Sequence, residues 1–406
     1  MSVTECLVRL KDHPLVDYVE PDGIGEGGVL PNDPDFPLQW HHRNTGSPPG
    51  SVRSDIHSPE AWAISRGSTN VTVAVLDTGL NMTLAEFTNR IVAGYDFANS
   101  DSDPSDDHGH GTAVAGTLCA NANNTTLVAG VDWACRVMPV KVLNSSNWGL
   151  YSWWADGIDW AVSNGCKVIN LSAGGSTGSA TVSNAIMNAI SRGVIFVTIT
   201  HNDGNGNIRF PGRMQRCITV GATDSDDTRS SFSNYGSAID LVAPGRDIHT
   251  VSSSGTLQAR WGTSFSAPQV AGAAALLAAL DPNISHEQAR TLLCAGADDE
   301  VGDTQDAEGF DHYYGWGRLN VFNTLVLDQT ELTMATGGDT NVLRWASPPN
   351  ASNRLPFEVQ SIGSLTGSWS TISQSSDFAY APTQTTWRAN GTVSSVECYR
   401  IHIRNQ

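Results

Sequence analysis

Apolar residues along this chain fall into short unbroken runs separated by longer segments whose apolar positions repeat every three to four residues. The runs cover 71–76, 90–96, 137–143, 167–171, 194–200, 217–222 and 239–242. A run with no polar alternation reads as a strand buried on both faces. The helical repeats cover 112–120, 152–164, 179–192, 265–280 and 285–295. Strands of this kind alternating with helices predict an α/β domain with a parallel sheet between two helical layers. In such sheets a functional site forms beyond the carboxyl ends of the strands. After residue 327 the pattern changes. Residues 328–406 are rich in Ser, Thr, Trp and Asn. Short alternating runs at 341–345, 357–362, 369–372, 385–389 and 398–403 predict a small β-sandwich.

Composition narrows the choice of partners. The 406 residues are enough for two domains, and 40% hydrophobic content can fill a sizeable core. With 41 acidic against 23 basic residues the formal charge is −18, which argues against nucleic acid and anionic lipid as partners. No run of 18 apolar residues is present in the sequence, so no membrane span is expected. Acidic residues concentrate at 96–107 and 298–311, where the simplest role is a solvated surface. Seven cysteines (Cys6, Cys119, Cys135, Cys166, Cys217, Cys294, Cys398) contain no CxxC pair, which speaks against zinc. In a secreted chain six could pair and one stay free; for Cys119 and Cys166 a buried free thiol is the alternative.

Chemistry enters with three strings. Gly262-Thr263-Ser264-Phe265-Ser266-Ala267-Pro268 leads into an alanine-rich helix. Ser264 would lie at a helix N-terminus, where backbone N–H groups favour developing negative charge; alone it could be an N-cap. Val73 to Gly79 is a buried strand ending in Asp77-Thr78-Gly79, and His108-Gly109-His110-Gly111-Thr112 is a glycine turn opening another helix. A serine nucleophile needs an imidazole base, and the imidazole needs a carboxylate on its other nitrogen. The order Asp77, His110, Ser264 in these strings closely resembles the subtilisin-like serine peptidases over about residues 31–327. Phe265 and Ser266 depart from the family's usual Met-Ala after the nucleophile. The resemblance implies a subtilisin-like three-layer α/β fold and maps the oxyanion asparagine to Asn202, with His201 where the family has glycine; the other reading of this stretch is an exposed turn.

The same resemblance implies further assignments. The substrate-binding strands map to Asn147–Tyr151 and Leu171–Gly175, so Trp148, Gly149, Tyr151, Ser172, Ala173 and Gly174 would pair with an extended peptide, with Leu150 adding to apolar non-primed pockets. Arg209 would either reach into the pocket for the residue before the cut, favouring acidic or polar side chains, or pair with Asp203 and be cancelled. Calcium is the implied structural cofactor. One site maps to Asp33, Glu86 and Asn124, with Glu86 replacing the usual Asp, and a thermitase-like site maps to Asp96, Asp101 and Asp103. The segment from His13 to Asp22 resembles the last strand of the family's inhibitory pro-segment. Residues 1–30 are too short for all of it, so the chain reads as truncated or a fragment. No signal peptide precedes it, and secretion is implied by the family and the cysteines.

The resulting expectation is a secreted, monomeric serine endopeptidase acting on protein or peptide substrates, held as a zymogen by its own pro-segment. It would consist of a remnant at 1–30, a peptidase domain at 31–327 and a β-rich module at 328–406. The module could attach to glycans or surfaces, or be a passive appendage. The rival from another class is an inactive binding protein acting through that module. A carboxyl peptidase of the sedolisin type is excluded because His110 is not Glu.

Overall fold

The computed structural model describes residues 29–47 and 50–328 and, beyond these, the backbone of strands between 333 and 403. Seven parallel strands form the central sheet: β1 (Thr72–Asp77), β2 (Tyr95–Asp96), β3 (Arg136–Lys141), β4 (Val168–Leu171), β5 (Ile195–Ile199), β6 (Ile218–Thr223) and β7 (Leu241–Pro244). Their spatial order is β2-β3-β1-β4-β5-β6-β7. The order reverses around β1, whose last residue Asp77 pairs with Lys141 of β3 while Leu76 pairs with Leu171 of β4. A crevice opens at such a reversal, outside the carboxyl ends.

Alternation along β1 divides its side chains between two cores. Val73 and Val75 join Val168, Ile195 and Val197 on one face, under α2 (His110–Cys119) and α5 (Thr263–Leu280). Ala74 and Leu76 join Ile169, Leu171 and Phe196 on the other, under α3 (Tyr151–Ser163) and α4 (Ala180–Ser191). This is the expected three-layer architecture. The remaining helices are a short α1 (Ser58–Ala61), α6 (His286–Ala295) and α7 (Val321–Asp328). The Ser285 side chain caps α6 in a full capping box with Gln288.

Helix α5 is apolar around its whole circumference. Its 18 residues meet the length and hydropathy of a membrane span, yet 89% of that stretch is buried inside the domain. It is a core helix, packed between α2 and the sheet. An antiparallel hairpin of β8 (Ile248–Val251) and β9 (Leu257–Arg260), which no apolar run announced, leads into α5. The strand expected over 90–96 shrinks to β2 and an isolated bridge at Ile91. There Gly94 lies so close to Pro139 that a Cβ would collide with its carbonyl oxygen.

Beyond the α/β core the backbone forms two antiparallel sheets. One has four strands: Thr333–Gly337, Thr340–Ala346, Gln384–Asn390 and Ala379–Ala381. The other has three: Ser370–Ser373, Phe357–Ile362 and Cys398–Ile403. The expected strands are among them. Residues 1–28, with the pro-segment assignment, lie outside the described residues. Among the described residues Cys119, Cys135, Cys166, Cys217 and Cys294 are free thiols.

Candidate active site

Strand β1 delivers Asp77 to the sheet edge fully buried. Its Oδ1 accepts the backbone N–H of Thr78 at 2.7 Å and faces His110 Nδ1, also at 2.7 Å. His110 is the first residue of α2, after Gly109 at φ 97°. The helix can start this close to β1 because residue 111 is glycine; a Cβ there would strike the carbonyl oxygen of Gly79. Burial presses the imidazole pKa down, and the charge and hydrogen bond of Asp77 more than offset it. The net effect raises His110 above its ordinary value of 6.5.

A residue that the sequence reading passed over holds this corner. Asp106 accepts the backbone N–H of His108, Gly109 and Thr112 and the hydroxyls of Thr78 and Thr112. Burial pushes its pKa up, but these donors outweigh burial and leave it lowered. It thereby ties the turn before His110 to the end of β1. In the sequence it is one of several acids in a loop and carries no distinguishing signal. Lys141, on β3, is buried and spans Asp107, Thr78 O and Leu143 O beneath the same corner.

Ser264 is the second residue of α5, two positions beyond the N-cap Gly262. It is 7% exposed, and its hydroxyl donates to Ser172 O at a long 3.4 Å rather than to His110. A hydroxyl rotor with so weak a partner is free to turn, and such contacts commonly tighten only with substrate bound. The Phe265 ring stands edge-on to His110, with centroids 5.7 Å apart.

Asn202 follows β5. Its Oδ1 accepts both the backbone N–H and the hydroxyl of Thr263, each at 2.9 Å. Because an N–H can only donate, the amide must present oxygen to Thr263, which leaves Nδ2 outside that pair on a residue that lines the cleft. The residue before it, His201, holds φ at 87°, the left-handed region that glycine would occupy without strain. Histidine in place of glycine is thus accommodated with an unfavourable backbone conformation.

Asp77 sits behind a cleft of about 760 Å³ lined by His110, Ser264 and Asn202. Trp148, Gly149, Leu150, Tyr151, Ser172, Ala173 and Gly174 line it as well. Trp148 and Leu150 are exposed at the rim. Tyr151 begins α3 and donates to Thr177 O at 2.8 Å. A Cβ on Gly149 would meet Val142 O, so glycine is required for this close approach.

Arg209 differs from the pocket role. Its guanidinium is bidentate on Asp203, Nε to Oδ2 at 2.7 Å and Nη2 to Oδ1 at 2.5 Å. It lines a neighbouring cavity with Asp203, Asn205 and Arg213. Of the two alternatives open in the sequence, the geometry is that of mutual cancellation.

Of the two cation assignments, one brings its residues together. Asp33 accepts the backbone N–H of Asn123 and Asn124 at 2.6 and 3.1 Å. Glu86 accepts Asn124 Nδ2 at 3.3 Å and Thr126 Oγ1 at 3.0 Å. Both carboxylates are buried, and burial raises both pKa values; Glu86, with Asp33 adding to the rise, reaches about 7. Two buried acids facing only neutral donors form an oxygen-rich cluster that favours a hard cation. Asp96 and Asp101 exchange two backbone hydrogen bonds, but the carboxylates of Asp96, Asp101 and Asp103 take separate loop donors. Asp96 caps Asn99, Asp101 caps Asp103, and Asp103 caps Ser105. Each carboxylate is used by its own loop, and among the described residues no three His, Cys, Asp or Glu side chains form a metal-binding group.

A parallel sheet covered on both faces, with Asp, His and Ser gathered at its carboxyl edge, defines a serine peptidase. The model of the subtilase family matches residues 68–317, and the chain belongs to that family. It is 35% identical over 325 residues to a thermophilic serine proteinase of Bacillus sp. strain AK1, covering 80% of this chain and 76% of the relative. It is 35% identical to thermitase of Thermoactinomyces vulgaris, covering 66% of this chain and 93% of thermitase. Among solved structures, a protease from Pseudoalteromonas arctica shares 31% identity at a TM-score of 0.66, covering 74% of this chain and all of that one. The protein is a subtilisin-like serine endopeptidase.

Proposed function

We propose that the chain is a secreted endopeptidase that cuts extended polypeptides through an acyl-enzyme, with broad specificity and apolar pockets before the cut. Ser264 is the nucleophile, His110 the base and then the acid, Asp77 the residue that orients and charges the imidazole, and Asn202 the oxyanion donor. The observation that carries this is the 2.7 Å His110–Asp77 contact beside Ser264 in a single cleft. As Ser264 Oγ bonds to the substrate carbonyl carbon, its proton passes to His110 Nε2. The carbonyl oxygen becomes an anion stabilised by Asn202 Nδ2. Collapse breaks the C–N bond, and His110 returns the proton to the leaving nitrogen. Water then repeats the sequence on the ester and frees Ser264.

Trp148, Leu150 and Tyr151 line the pockets before the cut. Ser172, Ala173 and Gly174 would pair with the substrate backbone. Asp33, Glu86 and Asn124 would hold a structural calcium, which would supply the positive charge that the two buried carboxylates lack. We further assign residues 1–30 as a pro-segment remnant that inhibits until cleaved, residues 31–327 as the peptidase and residues 328–406 as a separate module. Labelling by a fluorophosphonate tests the central assignment. The wild-type chain should be modified and lose activity together, and the Ser264→Ala chain should take no label. Equal labelling of both chains would sink it.

A further inference from the structure

Among the described residues the cleft lining holds one permanent cation, and no carboxylate lies within ion-pair distance of it. Arg260 ends β9, four residues before the nucleophile, and lines the cleft beside His108, His110 and Phe265. Its Nη2 lies 3.9 Å from where a Cβ on Gly109 would stand, against the residue that precedes His110. Its Nε is buried and has no hydrogen-bond partner among the described residues. Several arginines outside the cleft are ion-paired: Arg209 with Asp203, Arg246 with Asp224, Arg290 with Asp240, Arg318 with Asp227 and Asp298. No Asp or Glu lines the cleft. Arg229 and Arg318 also hold a buried Nε without a partner, but Arg229 donates through Nη1 to Ser230 O and Ser233 O and Arg318 is paired with Asp227 and Asp298, whereas Arg260 faces a cleft with no acid in its lining. A buried donor left without an acceptor is costly, so an acceptor brought by a substrate would be favoured there.

The side of the scissile bond follows from the chemistry. His110 must return its proton to the leaving nitrogen, so the leaving half of the substrate lies against His110. Arg260, at the end of β9, reaches the Gly109 turn that leads into His110, and the segments that would hold the acyl half, at Gly149 and Ser172–Gly174, also line the cleft. Arg260 therefore faces the residues just after the cut.

We infer that Arg260 is a specificity-determining residue that selects an acidic side chain, Asp or Glu, in the first two positions after the scissile bond. The carboxylate would accept from Nε and Nη2 in the planar, two-pronged geometry that guanidinium favours. The inference rests on the peptidase reading above, and it moves the charge preference of the enzyme away from Arg209, which is cancelled, to the leaving-group side.

The test uses internally quenched peptides with one common sequence before the cut, varied only at the two positions after it. With Glu or Asp there, kcat/KM should exceed that for Gln or Asn roughly tenfold at low salt, as expected for a charged hydrogen-bonded pair. The preference should shrink as ionic strength rises. In Arg260→Gln the acid-to-amide ratio should fall to near one, and in Arg260→Glu the enzyme should prefer Lys over Gln at those positions. A ratio near one in the wild type, or an acidic preference that survives in Arg260→Gln, overturns the inference while hydrolysis of the amide peptides leaves the peptidase reading standing. No hydrolysis of any peptide by the wild type overturns both.

Discussion

Asn202 can be separated into its two halves by substitution. In the structure its oxygen serves the fold, accepting the N–H and hydroxyl of buried Thr263, and its nitrogen takes no part in that pair. Asn202→Asp keeps the acceptor and deletes the donor, with almost no change in shape. Losing one oxyanion donor raises the barrier by about 3–4 kcal/mol, a fall in kcat of about 10²–10³, and a carboxylate facing the oxyanion can only deepen it. Stability should stay close to wild type because Thr263 keeps its partner. Asn202→Ala deletes both halves. Its kcat should fall by a similar factor, and it should also lose about 1–3 kcal/mol of stability from the orphaned Thr263 N–H. Steady-state kinetics on one peptide ester and denaturant melts, the latter in a Ser264→Ala background to prevent self-digestion, read the two effects separately. An Asn202→Asp enzyme with wild-type kcat would refute the donor role. A change confined to KM would show that the residue binds the ground state instead.

Three further outcomes follow from the site. Chelation should lower the melting temperature and calcium should restore it, by roughly 3 kcal/mol at a hundredfold excess over Kd; Glu86→Ala should abolish the response, and a wild-type chain indifferent to both would remove the proposed ion. Because His110 must be neutral to act as base and Asp77 raises its pKa, activity should fall as pH drops through a value above 6.5, and Asp77→Asn should move that limb to lower pH; an unmoved limb in the pH–kcat/KM profile would separate the two residues. His201→Gly should leave stability within about 1 kcal/mol of wild type, since relief of the positive φ is offset by added chain entropy. It should also raise kcat/KM for Phe relative to Ala before the cut, because the His201 ring lies 3.0 Å from where a Cβ on Gly174 would stand. An unchanged Phe-to-Ala ratio would place the ring outside that pocket.

The parallel strands were legible because burial on both faces leaves no polar alternation, and the three catalytic strings because each pairs a glycine turn with the start or end of an element. What escaped the sequence has physical causes. The β8–β9 hairpin is short, and Gln258, Ala259 and Arg260 are not fully buried, so no apolar run marks it. Asp106 looks like any acid in a solvated loop until five donors are seen to converge on it. The left-handed backbone at His201 depends on the path of its turn, whereas the pairing of Arg209 with Asp203 was one of the two alternatives that the sequence offered. The acidic loop at Asp96, Asp101 and Asp103 has the composition of a cation site, yet its carboxylates are occupied by their own backbone.

Helix α5 joins two demands in one segment. It holds the nucleophile in its first turn, and nearly every later residue is packed against the sheet or α2. Substitutions along it therefore cannot trade a little activity for a little robustness; each will move both together. Variation that adapts the enzyme to new temperatures or new substrates has to accumulate elsewhere, in the rim that carries Trp148, His201 and Arg260, where a side chain can change its partner without disturbing the interior. The catalytic serine should also be among the last groups to lose its position on heating, so activity measured after partial unfolding of the periphery should outlast the loss of the outer loops.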